Sequence, residues 1–387
     1  MKNFLVCLAL ASVFFVNGRT ALADVKVGFM LPYSGVYSHL GQAIENGFKL
    51  YVKEQDGKLG GQRIVYATVD DQSDQSKALD NAQRLIQREK VDILVGSVHS
   101  GVTLALTKAA RDADTTLIIP SAGANAITGP LCSKLVFRTS SSNWQPAYAA
   151  GPLAASEGYK TAVTVSWDYT AGKESTDAFK TGFEANGGKV LKQLALPFPL
   201  MEFGPLMDEI MALKPDMVYA FFAGGGAVKF VKDYAAPPVS KSIPLMGPGF
   251  LTEGVLHAQG EAAEGLLTIL HYADGLDTVR DNAFRTSYTK NYPAMAPDAY
   301  AVQGYDAAQL LQIGLKAVNG DVLKKEEMRR AMSGTTIDSP RGAFALSKAG
   351  NPIEDFYVRE VGEGKNLARG IAHMALEDPA RGCALMR

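Results

Sequence analysis

The fold is decided by residues 91–125, VDILVGSVHSGVTLALTKAARDADTTLIIPSAGAN, in which two short apolar runs are each followed at once by small residues. The apolar runs, Ile93–Val95 and Leu117–Ile119, predict two buried strands. Between them, Val102–Asp112 has the apolar spacing of an amphipathic helix. A buried strand, a tight loop, a helix and a second strand form a βαβ unit, so the stretch predicts an α/β fold with a parallel sheet.

The small residues after each apolar run predict a ligand-binding crevice. The first tip is the loop Gly96–Gly101 and the second is Ser121–Ala124. Loops at the carboxyl ends of adjacent parallel strands enclose a crevice where ligands bind. Ser100 stands at the start of the predicted helix, where free N–H groups and the positive end of the helix dipole attract a carboxylate. We therefore predict an anion-binding corner here.

The bulk composition excludes some classes of partner. A chain of 387 residues is long enough for two or three lobes. The 39 Lys plus Arg residues balance the 40 Asp plus Glu residues, which gives no support for nucleic acid or an acidic membrane surface as partner. Hydrophobic residues make up 47% of the chain, enough for a large core, and no interior apolar run is long enough to predict a membrane span.

The N-terminus has the pattern of a secretory signal peptide. Lys2 precedes the apolar run Phe4–Val16, and Ala21-Leu22-Ala23 has the small-x-small form of a cleavage site. We predict a signal peptide over residues 1–23, a mature chain that begins at Asp24, and a periplasmic location. An uncleaved anchor is the alternative, for which an apolar run of about 13 residues is short.

Two cysteines remain after the signal peptide is removed. Cys7 leaves with it, whereas Cys132 and Cys383 stay in an oxidising compartment. They could form a disulfide, or one could be buried and the other free on the tail, and the sequence leaves both open. No CxxC or Cys/His ligand spacing is present, so no structural zinc is expected.

The acidic run Asp70–Asp74 has two interpretations. It could bind a metal ion, or its carboxylates could cap the predicted helix Ser76–Glu89. We favour capping, and we expect neither a metal ion nor a cofactor.

Strand and helix patterns alternate along the chain in two series of similar size, joined at the polar segment Ser140–Asn143. The predicted strands are Val25–Leu31, Gln62–Val69, Ile93–Val95, Leu117–Ile119, Leu135–Thr139, Ala162–Ser166, Lys189–Leu196, Met217–Phe222, Ile243–Met246, Leu266–Leu270, Gly342–Leu346 and Asp355–Val361. The predicted helices are Leu40–Glu54, Ser76–Glu89, Val102–Asp112, Ala171–Asn186, Phe203–Leu213, Ala227–Tyr234, Thr278–Tyr292, Tyr300–Val318 and Lys324–Met332. Two α/β lobes whose loop tips face each other enclose a cleft, which is typical of an exported protein that captures a ligand.

Short motifs in a fixed order carry a resemblance to a known family. They are Val27-Gly28, Pro32, Ser34-Gly35, Gly41, Asn46-Gly47, Asp70-Asp71 through Ala78, Val91–Gly96, Pro120–Asn125 with Thr128, Phe137-Arg138-Thr139 and Met246-Gly247-Pro248. The mature chain resembles a type I periplasmic solute-binding protein of an ABC transporter. It is most similar to the leucine/isoleucine/valine-binding branch, which includes relatives for amides, urea and aromatic acids.

The resemblance implies the fold and the lobe boundaries. We expect two doubly wound, Rossmann-like lobes joined by a three-crossover hinge near Ser141, Ala273 and Asp355. The N-terminal lobe would comprise residues 24–141 plus 274–355, and the C-terminal lobe residues 142–273 plus 356–387. A monomer that delivers its ligand to an ABC permease is implied as well.

The resemblance also implies one side of the binding site. In amino-acid binders of this family, the carboxylate lies on N–H groups and hydroxyls of the two tips. Ser100 matches the serine of the first tip, and Ala122–Ala124 match the second, with Ala122 and Gly123 as candidate contacts. His99, beside Ser100, could contact the ligand, respond to pH or fill the turn.

The ammonium side of the family pattern is missing. The family's second tip offers a Thr hydroxyl where this chain has Gly123 or Ala124, and the Glu after Met-Gly-Pro is replaced by Gly249-Phe250. A buried ammonium without a counter-charge costs several kcal/mol. The departure favours a carboxylic acid without an amine, unless Glu253 or Asp168 replaces the missing carboxylate.

Aromatic residues at matching tips point to an aromatic ligand, although each could be a core residue instead. These candidates for ligand contact are Tyr37, Tyr169, Phe222, Phe250 and Tyr300. Trp144, at the polar join, is expected to pack at the hinge.

Three other functions compete with a binding protein for a small aromatic carboxylate such as benzoate or a hydroxycinnamate. The first is a branched-chain or hydrophobic amino-acid binder of the same family. The second is a ligand-sensing domain on the same fold, which would normally carry a membrane span or a DNA-binding segment. The third is an exported hydrolase, but the sequence has no GxSxG or HExxH motif, so we predict that the chain is not an enzyme.

Overall fold

The computed structural model describes residues 23–236 and 239–386. The predicted signal peptide, 1–23, therefore lies outside the described residues except for Ala23. The strands are β1 Val25–Leu31, β2 Lys58–Leu59, β3 Gln62–Asp70, β4 Ile93–Gly96, β5 Thr116–Ile119, β6 Val136–Arg138, β7 Thr161–Asp168, β8 Lys189–Pro197, β9 Met217–Phe221, β10 Leu245–Pro248, β11 Leu267–Leu270, β12 Thr336–Ile337, β13 Phe344–Leu346, β14 Pro352–Gly362 and β15 Lys365–Leu376.

The helices alternate with these strands through most of the chain. They are α1 Ser38–Glu54, α2 Ala78–Gln83, α3 Ser100–Asp112, α4 Asn125–Thr128, α5 Trp144–Ser156, α6 Thr170–Ala185, α7 Gly204–Leu213, α8 Gly224–Ala235, α9 Val239–Ser242, α10 Leu256–Gln259, α11 Val279–Asn291, α12 Ala299–Ala317 and α13 Lys325–Met332. Short 3₁₀ helices include Gly35–Tyr37 and Gly249–Leu251. Among the described residues, no helix is both long and apolar enough to cross a membrane.

The strands form two separate sheets, one in each lobe. The first has the order β2-β3-β1-β4-β5-β6, and it is parallel except for the β2–β3 hairpin. The second has the order β12-β13-β14-β11-β10-β9-β7-β8, with β15 paired to β14. Strands β8, β7, β9, β10 and β11 are parallel, and β14 runs antiparallel to β11. The predicted strand pattern and α/β class are thus present in both sheets.

Helices α1 and α12 pack at very short range because of two glycines. A Cβ added to Gly47 would lie 1.9 Å from the Ala301 carbonyl oxygen, and one added to Gly304 would lie 2.0 Å from the Ile44 carbonyl oxygen. No side chain fits in either position, so the two helix backbones approach closely. This contact brings Tyr300, at the beginning of α12, close to the segment that precedes α1.

The two lobes touch across the cleft in this structure. A single apolar cluster runs from the first lobe into the second. Tyr37 of the first lobe packs 6.1 Å from Trp167 and 5.5 Å from Phe198 of the second, measured between ring centroids. The structure therefore describes a closed arrangement of the lobes.

One predicted segment differs from the structure, and two long elements were not predicted. Ser76–Glu89 is not one regular helix, because α2 is flanked by a 3₁₀ turn, Gln75–Lys77, and a π-helical turn, Arg84–Arg88. Helix α5 was not predicted, since Pro146 and Pro152 interrupt its pattern. Strand β15 was not predicted either, since much of it is exposed and its apolar alternation is weak.

The second sheet extends into the range predicted for the first lobe. Strand β13 pairs with the start of β14, with Ala345 opposite Ile353, so the sheet includes residues assigned to 274–355. After β15, the tail returns to the first lobe, where Cys383 forms a disulfide with Cys132. The tail's last residues are therefore attached to the lobe opposite the one to which 356–387 was assigned. The exact lobe boundaries remain a prediction.

The acidic run Asp70–Asp74 is occupied by hydrogen bonds from its own neighbours. Asp70 accepts from the Tyr33 and Gln72 amides and from the Ser34 hydroxyl, while the Asp74 side chain accepts from the Ser76 amide. Asp74 thus caps the 3₁₀ turn before α2, as the capping interpretation predicted.

Candidate functional site

A small cavity lies between the facing loop tips of the two lobes. Because the lobes are closed on each other, residues of both contribute to its walls. The lining residues are all uncharged, and they are Tyr37, Leu40, Val98, Ser100, Ser121, Gly123, Asn143, Tyr169, Ala171, Phe221, Ala223, Phe250 and Tyr300.

The first lobe contributes polar groups from its strand tips. Helix α3 begins at Ser100. His99 accepts from the Val102 and Thr103 amides of its first turn, and within the described chain the Ser100 and Gly101 amides have no partner. The Ser100 hydroxyl oxygen accepts a hydrogen bond from the Asn143 side-chain amide, with 3.3 Å between Nδ2 and Oγ. Ser121 and Gly123, after β5, complete this wall. The wall therefore offers hydroxyl and N–H donors without a cation.

A buried arginine fixes the second tip from behind. Arg138, at the end of β6, is fully buried and donates to the carbonyl oxygens of Ala122 at 3.0 Å and Ala124 at 2.7 Å. It also donates to Thr128 and Asn351. Burial lowers the pKa of Arg138 to about 10, so the guanidinium remains protonated at neutral pH. The guanidinium donates to carbonyl oxygens of the loop, and Arg138 does not line the cavity.

The second lobe contributes aromatic surface. Tyr169 is the residue immediately before α6, Phe221 ends β9, and Phe250 lies in the 3₁₀ helix after β10. The rings of Phe221 and Phe250 are edge to face at 6.3 Å, and Phe250 stacks on Tyr300 at 6.2 Å. Helices α6 and α8 also begin at the cavity, where Ala171 and Ala223 line it. Three helix N-termini thus point their positive dipole ends towards one space.

Of the three tyrosine hydroxyls at the cavity, two are paired and one is not. The Tyr37 and Tyr169 hydroxyls bond each other across the lobes at 3.0 Å. The buried hydroxyl of Tyr300, in contrast, has no hydrogen-bond partner within the described part of the chain. A buried hydroxyl left unpaired costs about 1–3 kcal/mol, so Tyr300 is free to pair with a polar atom of a ligand.

The two carboxylates considered as ammonium partners are not available. Glu253 is buried, and its Oε2 accepts from the Arg359 guanidinium while its Oε1 accepts from the Ala299 amide at 2.7 Å. Asp168, at the end of β7, is exposed and does not line the cavity. The cavity therefore has no charged side chain in its lining to balance an ammonium group.

His99 lies behind the wall rather than in it. Its Nδ1 accepts from the Val102 amide at 3.3 Å, which caps α3. Its ring stacks on Tyr169 at 4.6 Å and packs 4.9 Å from Phe198, so a first-lobe histidine contacts two second-lobe rings. Burial lowers the pKa of His99 to about 4, so the imidazole is neutral near pH 7.

Six of the ten predicted site residues line the cavity, and four do not. His99, Ala122, Phe222 and Gly249 do not line the cavity. The Ala122 amide donates to the Ser97 carbonyl. The Phe222 ring packs 4.5 Å from Phe230 in the second-lobe core. Gly249 is excluded because its carbonyl accepts from Arg359 and an added Cβ would lie 2.5 Å from Leu270. These four are withdrawn from the proposed lining.

Several lining residues were missed. Phe221 was passed over for Phe222, although only one of two successive residues on a strand can face the cavity. Asn143 was assigned to a hinge crossover. In the structure its backbone amide donates to the Gly123 carbonyl at 2.7 Å, which places Asn143 at the cavity wall, and the sequence gives no sign of this contact. Leu40, Val98, Ala171 and Ala223 gave no chemical signal in the sequence.

Comparisons with known proteins point to one family. A family model for periplasmic binding proteins matches residues 24–366. A relative from Brucella melitensis, named Leu/Ile/Val-binding protein homolog 6, is 31% identical over 368 residues and covers 92% of each chain.

Solved structures with the same fold include proteins with aromatic acids bound. A solute-binding protein of an ABC transporter from R. palustris, in complex with benzoate, is 49% identical with a TM-score of 0.91, covering 94% of this chain and 100% of that one. Another, from Rhodopseudomonas palustris HaA2 in complex with p-hydroxybenzoic acid, is 28% identical with a TM-score of 0.87, covering 92% and 98%.

These similarities establish the class of protein. The matched proteins are transport proteins and not enzymes, and the family implies a periplasmic location and a permease as partner. The predicted two-lobe fold is confirmed by the match to these solved structures. The chain therefore belongs to the periplasmic binding protein family, and it is the solute-binding protein of an ABC transporter.

Proposed function

We propose that the protein captures a small aromatic carboxylate of the benzoate type and delivers it to its permease. The observation that carries the proposal is the uncharged lining of a small cavity with aromatic walls and hydroxyl and N–H donors. An α-amino acid would bury an ammonium group there without a counter-charge, which costs several kcal/mol. A carboxylate needs no cation if several N–H and O–H donors converge on it.

The two walls suggest how the ligand lies. The carboxylate would contact the Ser100 hydroxyl and the first-turn N–H groups of α3. The ring would lie against Phe221, Phe250 and Tyr169, where aromatic pairs add about 0.5–1.5 kcal/mol beyond area burial. The unpaired hydroxyl of Tyr300 would meet a polar atom of the carboxylate or of a ring substituent.

The remaining parts of the function follow from the class. Cleavage near Ala23 would release the mature chain into the periplasm, where it would act as a monomer. Ligand contacts from both lobes would favour the closed form, which the permease would recognise.

A thermal-shift screen of the mature protein, Asp24–Arg387, tests the proposal. Benzoate, hydroxybenzoates and hydroxycinnamates are compared with leucine, valine and phenylalanine. A ligand at 100 times its dissociation constant stabilises the folded state by about 2.7 kcal/mol, which raises the midpoint visibly. We expect the aromatic acids to raise it and the amino acids to leave it unchanged.

The relatives named as Leu/Ile/Val-binding proteins support the main alternative, a branched-chain amino acid. It makes the opposite prediction in the same screen. A shift with leucine or valine alone would overturn the aromatic proposal and would require a group that balances the ammonium.

A further inference from the structure

We propose that Glu174, which lies outside the cavity, fixes the direction of the Ser100 hydroxyl and so makes the site select a hydrogen-bond acceptor such as a carboxylate. The inference deepens the proposed function and rests on it for the identity of the ligand. Glu174 would be a positioning residue, since it acts through Asn143 and does not line the cavity.

The contacts form a chain from the second lobe to the cavity wall. Glu174 lies on α6, and its Oε2 accepts from the Asn143 side-chain Nδ2 at 2.8 Å and from the Asn125 amide at 2.9 Å. The same Nδ2 of Asn143 lies 3.3 Å from the Ser100 Oγ. Asn143 itself is held by its amide, which donates to the Gly123 carbonyl at 2.7 Å.

Donor and acceptor chemistry fixes the orientation of each group. A carboxylate oxygen that already accepts from the Asn125 amide can meet Asn143 only as an acceptor, so the NH₂ end of Asn143 must face it. The two protons of that NH₂ group then go to Glu174 and to Ser100. The Ser100 oxygen is thereby an acceptor towards Asn143, and its single proton is left to point elsewhere.

The hydroxyl proton of Ser100 determines which ligand atoms the site accepts, because it is not donated to Asn143. Within the described chain, the bond from Asn143 is the one hydrogen bond found for the Ser100 hydroxyl. Because Ser100 lines the cavity, its proton is available to a ligand oxygen. Without Glu174, the Asn143 amide could turn its oxygen towards Ser100, which would draw that proton away from the ligand. Glu174 thus sets the polarity of a group that the ligand contacts.

A double-mutant cycle tests the inference by calorimetry with benzoate and, in parallel, with leucine, since both carry a carboxylate. Glu174→Ala should weaken binding of the carboxylate that the wild type binds by about five- to tenfold, the worth of one hydrogen bond. Glu174→Gln keeps an acceptor oxygen and should recover most of the loss. In the Ser100→Ala background, Glu174→Ala should add less than about a twofold change, because no hydroxyl remains to be oriented.

Asp177→Ala is the matched control, because Asp177 lies one turn further along α6 and is exposed. It should leave affinity within about twofold of the wild type. An equal effect of Glu174→Ala with and without the Ser100 hydroxyl would reduce Glu174 to a structural residue and overturn the inference. If the protein binds leucine and does not bind benzoate, the aromatic proposal is overturned. The inference about Glu174 is then still tested, because the cycle is measured with leucine.

A measurement by NMR completes the test. The side-chain NH₂ resonances of Asn143 are followed in the closed protein, saturated with whichever carboxylate it binds, with assignment by their loss in Asn143→Ser. Glu174→Ala should move both proton resonances, and Asp177→Ala should not. If the resonances stay in place, Asn143 is not held by Glu174, and the inference fails whatever ligand the protein binds.

Discussion

The strand tips of the two lobes come from the same type of strand-to-helix connection, but they carry different chemistry. The first-lobe tips are Val98, Ser100, Ser121 and Gly123, which follow β4 and β5. The second-lobe tips are Tyr169, Ala171, Phe221, Ala223 and Phe250, which lie at or just after the ends of β7, β9 and β10. The first-lobe tips offer mainly small side chains and backbone N–H groups, whereas the second-lobe tips offer mostly aromatic rings.

The difference indicates a division of the recognition between the lobes. In the first lobe, small residues let helix N–H groups approach an anion. Arg138 holds the Ser121–Ala124 loop of that lobe by donating to the carbonyl oxygens of Ala122 and Ala124. Large rings cannot provide that approach, but they cover the apolar part of a ligand and exclude water. The fold supplies both positions, and the side chains decide what each position binds.

The largest expected effect comes from removing the aromatic ring at the second-lobe tip that also contacts the first lobe. Tyr169→Ala deletes a wall of the cavity, the bond to the Tyr37 hydroxyl and the stack on His99. We expect ligand affinity to fall by about 2–3 kcal/mol, roughly 30- to 150-fold, measured by calorimetry.

Tyr169→Phe is the matched control for this prediction. It keeps the ring and removes only the bond between the two tyrosine hydroxyls, so it should cost about 1 kcal/mol or less. Affinity of the Ala variant within threefold of the wild type would mean that the second-lobe tips do not contact the ligand.

The first-lobe tips are largely predictable from sequence, for a physical reason. The apolar runs at Ile93 and Leu117 are fully buried parallel strands, which are continuous apolar runs in sequence, and in this chain each is followed at once by small residues. The position of a strand end then fixes the position of the loop, so the local pattern alone predicts that Ser100 and Gly123 lie in the ligand crevice, where both line the cavity.

The second-lobe tips are harder to predict because the information is not local. Phe221 and Phe222 are adjacent and equally apolar, and only the register of β9 beside β7 decides which ring faces the cavity. Gly249 stands where the family pattern has a Glu, but Arg359, more than a hundred residues later, occupies the space beside it. The sequence around residue 249 does not predict its contact with Arg359.

The register of β9 gives a prediction of intermediate size. Phe221→Leu and Phe222→Leu make the same chemical change at neighbouring positions. Phe221→Leu should weaken ligand binding by about 1–1.5 kcal/mol with little change in stability, because that ring lines the cavity. Phe222→Leu should lower the free energy of unfolding by a similar amount and leave affinity unchanged, since Phe222 packs on Phe203 and Phe230.

Chemical denaturation and calorimetry on both variants separate the two effects. If Phe222→Leu is the variant that loses affinity, the ring that faces the ligand is the one chosen from sequence, and the register of the strand end must differ from the one described. Equal losses of affinity would mean that the second-lobe wall acts through its packing as a whole.

The expected effect that is smallest near neutral pH is the pH dependence of closure, which depends on His99 between the two sets of tips. In the closed form, burial against Tyr169 and Phe198 lowers the pKa of His99 to about 4. In an open form the ring would be wetter, with a pKa nearer its ordinary value of about 6.5. Above pH 7 the imidazole is neutral in both forms, so affinity should not change with pH there.

Below pH 6.5 the open form binds a proton that closure must release, so affinity should fall as the pH falls towards 4. With these two pKa values the loss is at most about tenfold at pH 5.5. Asp71, which accepts a hydrogen bond from the Ser97 hydroxyl and whose pKa burial raises to about 6, titrates in the same range, so the wild-type profile alone is not sufficient. His99→Asn keeps a side chain that caps α3 but cannot be protonated. The ratio of wild-type to His99→Asn affinity should decline from pH 7 to pH 5, and a constant ratio would mean that His99 is equally enclosed before and after the lobes meet.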